Sequence, residues 1–262
     1  MDREEIISNL MGKINNADYD RLSEFYPVNG ICPTCSGLGQ YTLQFKTLSC
    51  DCQIQKLLQR HYFNANIPRE YHSLNLEHFQ SEDRDKIVPI IERYLEKFDN
   101  YSHYGIGLTF RGPVGTGKTF GMTYILKELV KRGEMIYMTT FEDLIHKWVS
   151  YSDEQAKHIL EKKLKRVKVL GIDEVRTDRR NQSGFLSLGF DSVIRFRTSN
   201  LLPTFITTNM DSEQEKDEFP KIFSLLSARN LKVDTKGRDF RMLDVRKDTQ
   251  ALADMGERRP IC

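Results

Sequence analysis

The 262-residue sequence lacks an apolar run long enough to cross a bilayer, which takes about 20 residues. Its first residues, MDREEIISNLMGKINN, carry charges where a secretory signal has an apolar stretch, so we expect a protein that is not exported. An excess of one charge is also absent, since 39 lysines and arginines are balanced by 37 aspartates and glutamates. This balance gives no general indication of nucleic-acid binding and leaves only local basic patches for that role.

Cysteine is scarce, and four of the five cysteines fall within one short segment, with the spacing Cys32-x2-Cys35-x14-Cys50-x-Cys52. Two close pairs separated by a loop suit Zn²⁺, because each pair can span one edge of its tetrahedral ligand set. In a reducing cytosol such clustering favours a metal over disulfides. We therefore predict a structural zinc site formed by these four thiolates.

Two alternatives to this four-cysteine site stay open. Cys32 and Cys35 could be a redox pair, although such pairs usually stand without a second pair nearby. His61 could replace one thiolate, although we expect it on the helix that follows the cysteines. Gly37 and Gly39 are expected in a tight turn where backbone amides approach sulfur.

From residue 106 onward, short apolar segments alternate with helical ones, and the predicted strands are IGLTF, MIYMT, VKVLGI and PTFITT. This alternation predicts an α/β fold in which helices cover both faces of a mainly parallel sheet. Upstream, apolar residues at helical spacing predict an amphipathic helix over 4–14, which either packs on its own protein or docks a partner. Further helices are expected up to Pro68 and over 87–98.

The segment GPVGTGKT, residues 112–119, fits the phosphate-loop pattern G-x-x-x-x-G-K-[ST] and stands between a predicted strand and a predicted helix. Glycines let the backbone turn its N–H groups toward phosphate, and the helix adds the positive end of its dipole. Lys118 is expected to reach the β- and γ-phosphates of ATP, and Thr119 to hold Mg²⁺. The predicted nucleotide-binding residues are Gly112, Pro113, Val114, Gly115, Thr116, Gly117, Lys118, Thr119 and Phe120.

The strand VKVLGI runs directly into Asp173 and Glu174. With a phosphate loop upstream, Asp173 is expected to join the Mg²⁺ shell and Glu174 to polarise the attacking water as a general base. The alternative is an acidic strand end that caps the next helix. The strand PTFITT then leads through Thr208 to Asn209, where a polar side chain could orient the water or contact the γ-phosphate.

The glutamate beside the aspartate, and the strand between the two motifs, resemble the AAA+ and RecA-like branch of P-loop ATPases rather than kinases or small GTPases. In the AAA+ pattern Asn209 matches sensor 1, Arg229 in IFSLLSARN matches the arginine finger of a neighbour's ATP site, and Arg241 in GRDFR matches a sensor 2 arginine. A planar, always charged guanidinium suits both arginine roles. Each arginine could instead form a surface ion pair.

Within this branch, the segments FRGPVGTGKT, GIDE, PTFITTN and DFR resemble the DnaC/DnaI-type helicase loaders and their IstB-type transposition relatives, over residues 68–245. The family usually has a glycine-bearing turn after Walker B, whereas this chain reads DEVRTDRRNQSG. The resemblance implies an ATPase of the bacterial cytoplasm, from a chromosomal or a phage gene, that uses ATP and Mg²⁺, binds single-stranded DNA, associates with itself and loads a DnaB-type hexameric helicase. The alternatives are an IstB-like transposition ATPase and an ATP-binding adaptor with little hydrolysis.

The same resemblance divides the chain into three parts. Residues 1–68 are expected to form a helical and zinc-binding module that docks the partner, residues 69–103 a linker and helix, and residues 104–262 the AAA+ ATPase core. Only about twenty residues follow Arg241, so we expect this core to lack a full C-terminal lid.

Single-stranded DNA is expected to meet aromatic and basic side chains around the Walker B strand, since aromatic rings stack on bases and lysines follow phosphates. The candidates are Lys147, Trp148, Tyr151, Lys162, Lys163, Arg176, Arg179 and Arg180, with Arg195 and Arg197 as further candidates for DNA or a neighbouring subunit. Trp148 could instead belong to the core, and the run KKLKR to a solvated helix face.

Overall fold

The computed structural model describes residues 3–10, 35–36, 38–43, 45–72, 74–150, 154–176 and 184–240. Two strands form a small antiparallel hairpin and five form a parallel sheet. The strands are β1 (Gln40–Leu43), β2 (Lys46–Ser49), β3 (Gly107–Arg111), β4 (Ile136–Thr140), β5 (Val169–Val175), β6 (Thr204–Thr208) and β7 (Asn230–Asp234). The order across the parallel sheet is β4-β5-β6-β3-β7, so β3 lies inside the sheet and β4 at one edge.

Helices precede and separate these strands: α1 (Arg3–Leu10), α2 (Asp51–Asn64), α3 (Arg84–Glu96), α4 (Phe98–His103), α5 (Lys118–Lys131), α6 (Phe141–Ser150), α7 (Glu154–Arg166), α8 (Gly184–Ser199), α9 (Ser212–Glu218) and α10 (Pro220–Ser227). Each sequence-predicted helix or strand that falls on described residues is present, with ends shifted by a few residues. None of these helices is both long and apolar enough to cross a membrane.

Alternate side chains along the strands belong to two separate hydrophobic clusters. Met138, Val169 and Phe205 face a cluster with residues of α3, α4 and α5, whereas Tyr137 and Leu170 face a second cluster with residues of α6, α7, α8 and α10. Successive side chains of a strand point to opposite faces, so β4, β5 and β6 are buried on both sides. The predicted α/β sheet between two helical layers is confirmed.

The amino-terminal helices pack on the α/β core. Leu10 of α1 is buried in the same cluster as α5, and Asn9 Nδ2 donates to Lys131 O at 3.3 Å. For the described part of the predicted 4–14 helix, packing on its own protein is therefore confirmed; residues 11–14 lie outside the described residues.

The turn that follows α2 covers part of β4, an edge strand of the sheet. Met138 N on β4 donates to Ala65 O at 2.8 Å, and Asn66 Nδ2 donates to Met138 O at 2.7 Å. An uncovered edge strand presents unpaired backbone groups to other chains, and this turn satisfies them at one point of β4. It also ties the segment after the cysteines to the core.

The sequence-based prediction lacks the short helices α4 and α9, the β1–β2 hairpin and the strand β7. In the segment NLKVD of β7, Val233 is buried, and the other four side chains are half-buried or exposed. A short strand with so few apolar residues has no clear period-2 pattern. Only the three-dimensional structure identifies this segment as a strand, through its pairing with β3 from Gly107 to Arg111.

The expectation that Arg197 contacts DNA or a neighbour is wrong. Its side chain is fully buried, and its guanidinium donates to Thr204 Oγ1 and to four backbone carbonyls, those of Leu164, Val167, Lys168 and Pro203, at 2.7 to 3.1 Å. Arg197 therefore joins α8 to the turn before β5 and to the start of β6. Arg195, on the exposed side of α8, pairs with Asp191 at 2.5 Å.

We expect Arg197→Met to lower the free energy of unfolding by about 2–4 kcal/mol, because it leaves buried carbonyls without donors. Urea denaturation followed by circular dichroism measures this loss. The control is Arg195→Ala, whose exposed ion pair contributes about 0.5 kcal/mol or less. Equal effects of the two substitutions would contradict the structural role of Arg197.

Candidate functional site

The motifs meet at one edge of the sheet, where the parallel strands end. Arg111 ends β3 and leads into the glycine-rich loop, Asp173 and Glu174 stand near the end of β5, and Asn209 follows β6 as an exposed residue. Ligands of open α/β sheets bind at this carboxyl edge. The structure thus brings the predicted glycine-rich loop together with three residues that the sequence predicted for the same site, Asp173, Glu174 and Asn209.

The glycine-rich loop, residues 112–117, needs its glycines for both backbone shape and packing. Gly115 and Gly117 have φ values of 75° and 87°, in the left-handed region that other residues rarely adopt. A Cβ on Gly117 would lie 2.6 Å from a ring atom of Phe79, and one on Gly112 would lie 2.1 Å from Thr235 O. This loop precedes α5, so its shape fits the binding of a phosphate chain at a helix amino terminus.

Lys118 and Thr119 begin α5 at the end of this loop. The Lys118 side chain is buried, and its Nζ donates to Pro113 O within the loop. The Thr119 hydroxyl donates to Asp173 Oδ1 at 3.0 Å. A hydroxyl and a carboxylate at this separation are the oxygen ligands that Mg²⁺ uses beside phosphates, so the described residues fit a magnesium–nucleotide complex.

Asp173 is buried at the bottom of the site. Burial raises the pKa of its carboxyl group, and hydrogen bonds from Thr207 and Thr119 lower that pKa. A divalent cation would favour the ionised form further, because opposite charge stabilises the carboxylate. The site is therefore arranged to hold Asp173 as a ligand when the cation is present.

A β-bulge displaces Glu174 from the regular pairing of β5 with β6. Ile172 pairs with Ile206 and Val175 with Thr208, so three steps along β5 match two along β6. Glu174 has φ of 54°, an uncommon value for a residue with a side chain. Bulges redirect side chains near active sites, and here the half-buried Glu174 lies beside Asp173 at the sheet edge.

A cleft of about 1040 Å³ opens beside these acidic residues. Thr119, Asp173 and Glu174 line one part of it, and Lys147 and Lys163 line another. The segment from Phe63 to Tyr71 supplies much of the remaining wall. Since the cleft reaches both Glu174 and two lysines, it can admit water and a second anionic group next to the nucleotide.

The segment 235–240 lies across the phosphate loop from the other side. Thr235 Oγ1 is 2.6 Å from Thr116 Oγ1, and Phe240 N donates to Gly115 O at 3.1 Å. Backbone amides of this segment bond to Asp83 and Glu82 before α3. The chain therefore encloses the loop, and the next residue, Arg241, lies outside the described residues.

Arg229 lies at the opposite edge of the sheet. It precedes β7, its carbonyl accepts from Gly107 N at 3.3 Å, and its exposed side chain donates to Tyr104 O at 3.4 Å. Gly107 begins β3, whose far end leads into the phosphate loop. Five strand residues extend about 16 Å, so Arg229 lies at the edge of the sheet that faces away from its own chain's phosphate loop.

The structure places four of the eight DNA-contact candidates. Lys147 and Lys163 share the cleft, and Lys163 Nζ lies 4.0 Å from the centroid of the Tyr137 ring. Lys162 is exposed, and Arg176 pairs with Glu142 at 2.6 Å. The Trp148 side chain and all of Tyr151, Arg179 and Arg180 lie outside the described residues.

Three of the four clustered cysteines come together beside the hairpin. The sulfurs of Cys35, Cys50 and Cys52 lie within 4.8 Å of one another and are buried. Gly39 N donates to Cys35 Sγ at 3.2 Å, which confirms the expected amide–sulfur contact for Gly39. Three thiols so close could hold a metal ion; Cys32 lies outside the described residues, and His61 is on α2 as expected.

Thr207 is the site residue that the sequence-based reasoning missed. Its hydroxyl donates to Asp173 Oδ1 and accepts from Glu174 N at 2.8 Å. The available signal was a run of polar threonines in the otherwise apolar strand PTFITT. Attention there went to the strand end at Thr208 and Asn209.

Comparison with known proteins agrees with this geometry. Residues 108–218 match the family model described as ATPase family associated with various cellular activities (AAA). No curated protein matches the chain. The solved structure of the DnaC helicase loader is 23% identical, with a TM-score of 0.57 over 64% of this chain and 100% of that one.

Two further solved structures share the fold. DnaI is 23% identical, with a TM-score of 0.55 over 67% of this chain and 94% of that one. AMPPCP-bound DnaA from Aquifex aeolicus is 16% identical, with a TM-score of 0.56 over 74% of this chain and 58% of that one. The match over residues 108–218 and the phosphate loop facing Asp173 together indicate an AAA-type ATPase domain in this part of the chain, and the solved structures show that its fold is the one found in DnaC, DnaI and DnaA.

Proposed function

We propose that this protein is an ATP-dependent loader of a hexameric replicative helicase of the DnaB type. The observation that carries the proposal is the structural match to the DnaC helicase loader, which aligns over its whole length with 64% of this chain. Such a protein acts in replication initiation, where ATP binding and hydrolysis would time the transfer of the helicase to single-stranded DNA.

In the ATPase cycle, the phosphate loop and Lys118 bind the β- and γ-phosphates, and Thr119 and Asp173 would hold a Mg²⁺ ion that offsets the phosphate charge. Glu174 accepts a proton from the attacking water, which reaches it through the cleft. Asn209, exposed at the end of β6, orients this water or contacts the γ-phosphate. Arg241 is proposed to contact the nucleotide as the sensor 2 arginine that the AAA+ pattern implies.

The cysteine cluster and its hairpin form the proposed docking module. Zn²⁺ held by Cys35, Cys50 and Cys52, with Cys32 as fourth ligand, would fold a segment too short to build its own core. The hairpin exposes large apolar side chains, among them the fully exposed Phe45. Exposed apolar groups gathered on a rigid hairpin suit contact with another protein, here the helicase.

Single-stranded DNA is proposed to contact the side of the core that carries α6 and α7. Lys147 and Lys163 in the cleft, with the exposed Lys162 beside them, provide positive charge for phosphates. Because the same cleft reaches Glu174, DNA bound there would lie close to the catalytic residues.

We expect Lys118→Ala to abolish ATP binding, since it removes the ammonium that holds the phosphates. Glu174→Gln is expected to bind ATP normally and to lower kcat by about 100-fold or more, because amide cannot accept the water proton. Binding of a fluorescent ATP analogue and phosphate release measure the two effects separately. Normal turnover by Glu174→Gln would remove Glu174 as the base and favour a different route of water activation.

Arg229 is expected to act on the nucleotide of a second copy of this chain, because it faces away from its own phosphate loop. Arg229→Ala should lower steady-state hydrolysis by about 100-fold or more in the assembled protein. Mixing it with Lys118→Ala, which keeps Arg229, should restore part of the activity. Lys221→Ala, an exposed cation on the same α10 segment, serves as the control. Full activity of Arg229→Ala in the oligomer would refute the finger assignment.

Helicase docking is best tested in the full chain, because α1 and α2 pack on α5 and a fragment would lose those contacts. Phe45→Ser should weaken binding to a DnaB-type hexamer by about tenfold or more while leaving ATP affinity unchanged. Met135→Ser, at an exposed apolar residue of the core, is the matched control. Undiminished helicase binding by Phe45→Ser would place the docking surface elsewhere.

The same binding assay tests the metal. Cys52→Ser should lower the zinc content below one ion per chain, by elemental analysis, and weaken helicase binding. One full equivalent of zinc in that variant would contradict the proposed ligand set.

A further inference from the structure

We propose that Thr207 is a positioning residue for ATP hydrolysis, which holds the Asp173 carboxylate and the Glu174 backbone in their working arrangement. The inference deepens the proposed function and rests on the role of Glu174 as general base. Thr207 lies in the fully buried strand β6 and does not line the cleft, so it acts through its two neighbours rather than on the nucleotide.

The partners of the Thr207 hydroxyl fix which hydrogen bond it accepts and which it donates. Its oxygen accepts from Glu174 N–H at 2.8 Å, so its single hydroxyl proton is left to donate to Asp173 Oδ1. The same carboxylate oxygen also accepts from Thr119 at 3.0 Å. One threonine thus connects the magnesium ligands to the backbone of the proposed base.

The bulge in β5 explains why a side chain is needed here. At Asp173 and Glu174 the regular ladder to β6 is interrupted, and the Glu174 N–H loses its place in that ladder. A buried N–H without a partner is unfavourable, and Thr207 supplies the acceptor. Valine would fill the same space, leave the N–H without this acceptor and remove one of the two hydroxyl hydrogen bonds to Asp173 Oδ1.

The backbone of Glu174 gives this contact a mechanical consequence. A residue with a side chain at φ of 54° persists only when its surroundings hold it there. The hydrogen bond from its own N–H to Thr207 is such a restraint. Without it, Glu174 can relax toward an ordinary strand conformation, which would turn its carboxylate away from the water.

Thr207→Val should therefore lower kcat by about 10- to 100-fold, since a small misplacement of a catalytic group costs that much, while the Kd for ATP changes by less than about threefold. Thr207→Ser, which keeps the hydroxyl, should retain activity within about threefold of the parent. Single-turnover phosphate release and fluorescent-nucleotide titration separate the two quantities. Should Thr207→Val fail to fold, Thr207→Ala provides the same comparison with Thr207→Ser.

Thr109→Val is the matched control, because Thr109 is also buried in the sheet and its hydroxyl accepts only from Asn230 Nδ2, at 3.0 Å, among the hydrogen bonds described. It should leave kcat within about threefold of the parent. The double variant Thr207→Val/Glu174→Gln should lose little beyond Glu174→Gln alone, because both changes disable the same base.

Three results overturn the inference, and they are distinguishable. If Glu174→Gln is inactive while Thr207→Val turns over normally, Thr207 does not position the base. If Glu174→Gln itself turns over normally, the role of Glu174 fails and the positioning role fails with it. A serine variant as impaired as the valine variant would also exclude a role for the hydroxyl.

Discussion

The hydrogen bond from Thr119 to Asp173 is the contact on which the rest of the site depends. It joins the helix after β3 to the end of β5, two elements that neighbour each other only because β6 brings their strands into one parallel sheet. Parallel strands end at the same edge, so the fold places the glycine-rich loop, the proposed phosphate site, beside the acids that are proposed to hold the metal. The loop can lie this close to its neighbours because residues 112, 115 and 117 are glycines, where a Cβ would collide with surrounding atoms.

A second constraint ties the amino-terminal part of the chain to this centre. Lys127, on the same helix as Thr119, is buried and donates from Nζ to Tyr71 O at 2.7 Å and to Leu74 O. Burial lowers the pKa of Lys127 to about 8, since a charged ammonium is less favourable there. Together with the contact of Asn66 on β4, this lysine holds the segment after the cysteines against the helix that begins at the phosphate loop.

Much of the fold could be predicted from the sequence because its signals are local. The apolar strands, the intervening helices and the phosphate-loop pattern each occupy a few consecutive residues. β7 and the β1–β2 hairpin escaped prediction because their side chains are mostly exposed, so no periodic pattern marks them. Arg197 was misjudged for a related reason: an arginine in a helix looks like a surface cation until the carbonyls that surround it are known.

The sequence by itself determined which groups are available for the proposed chemistry: a loop of glycines followed by Lys118 and Thr119, acids at the end of an apolar strand, and clustered cysteines. Only the tertiary structure decided how these groups act together. It put Arg229 at the far edge of the sheet, inserted the bulge at Glu174 and placed Thr207 between the two acids. The reason is that residue type is local, whereas pairing register and burial arise from segments far apart in the chain.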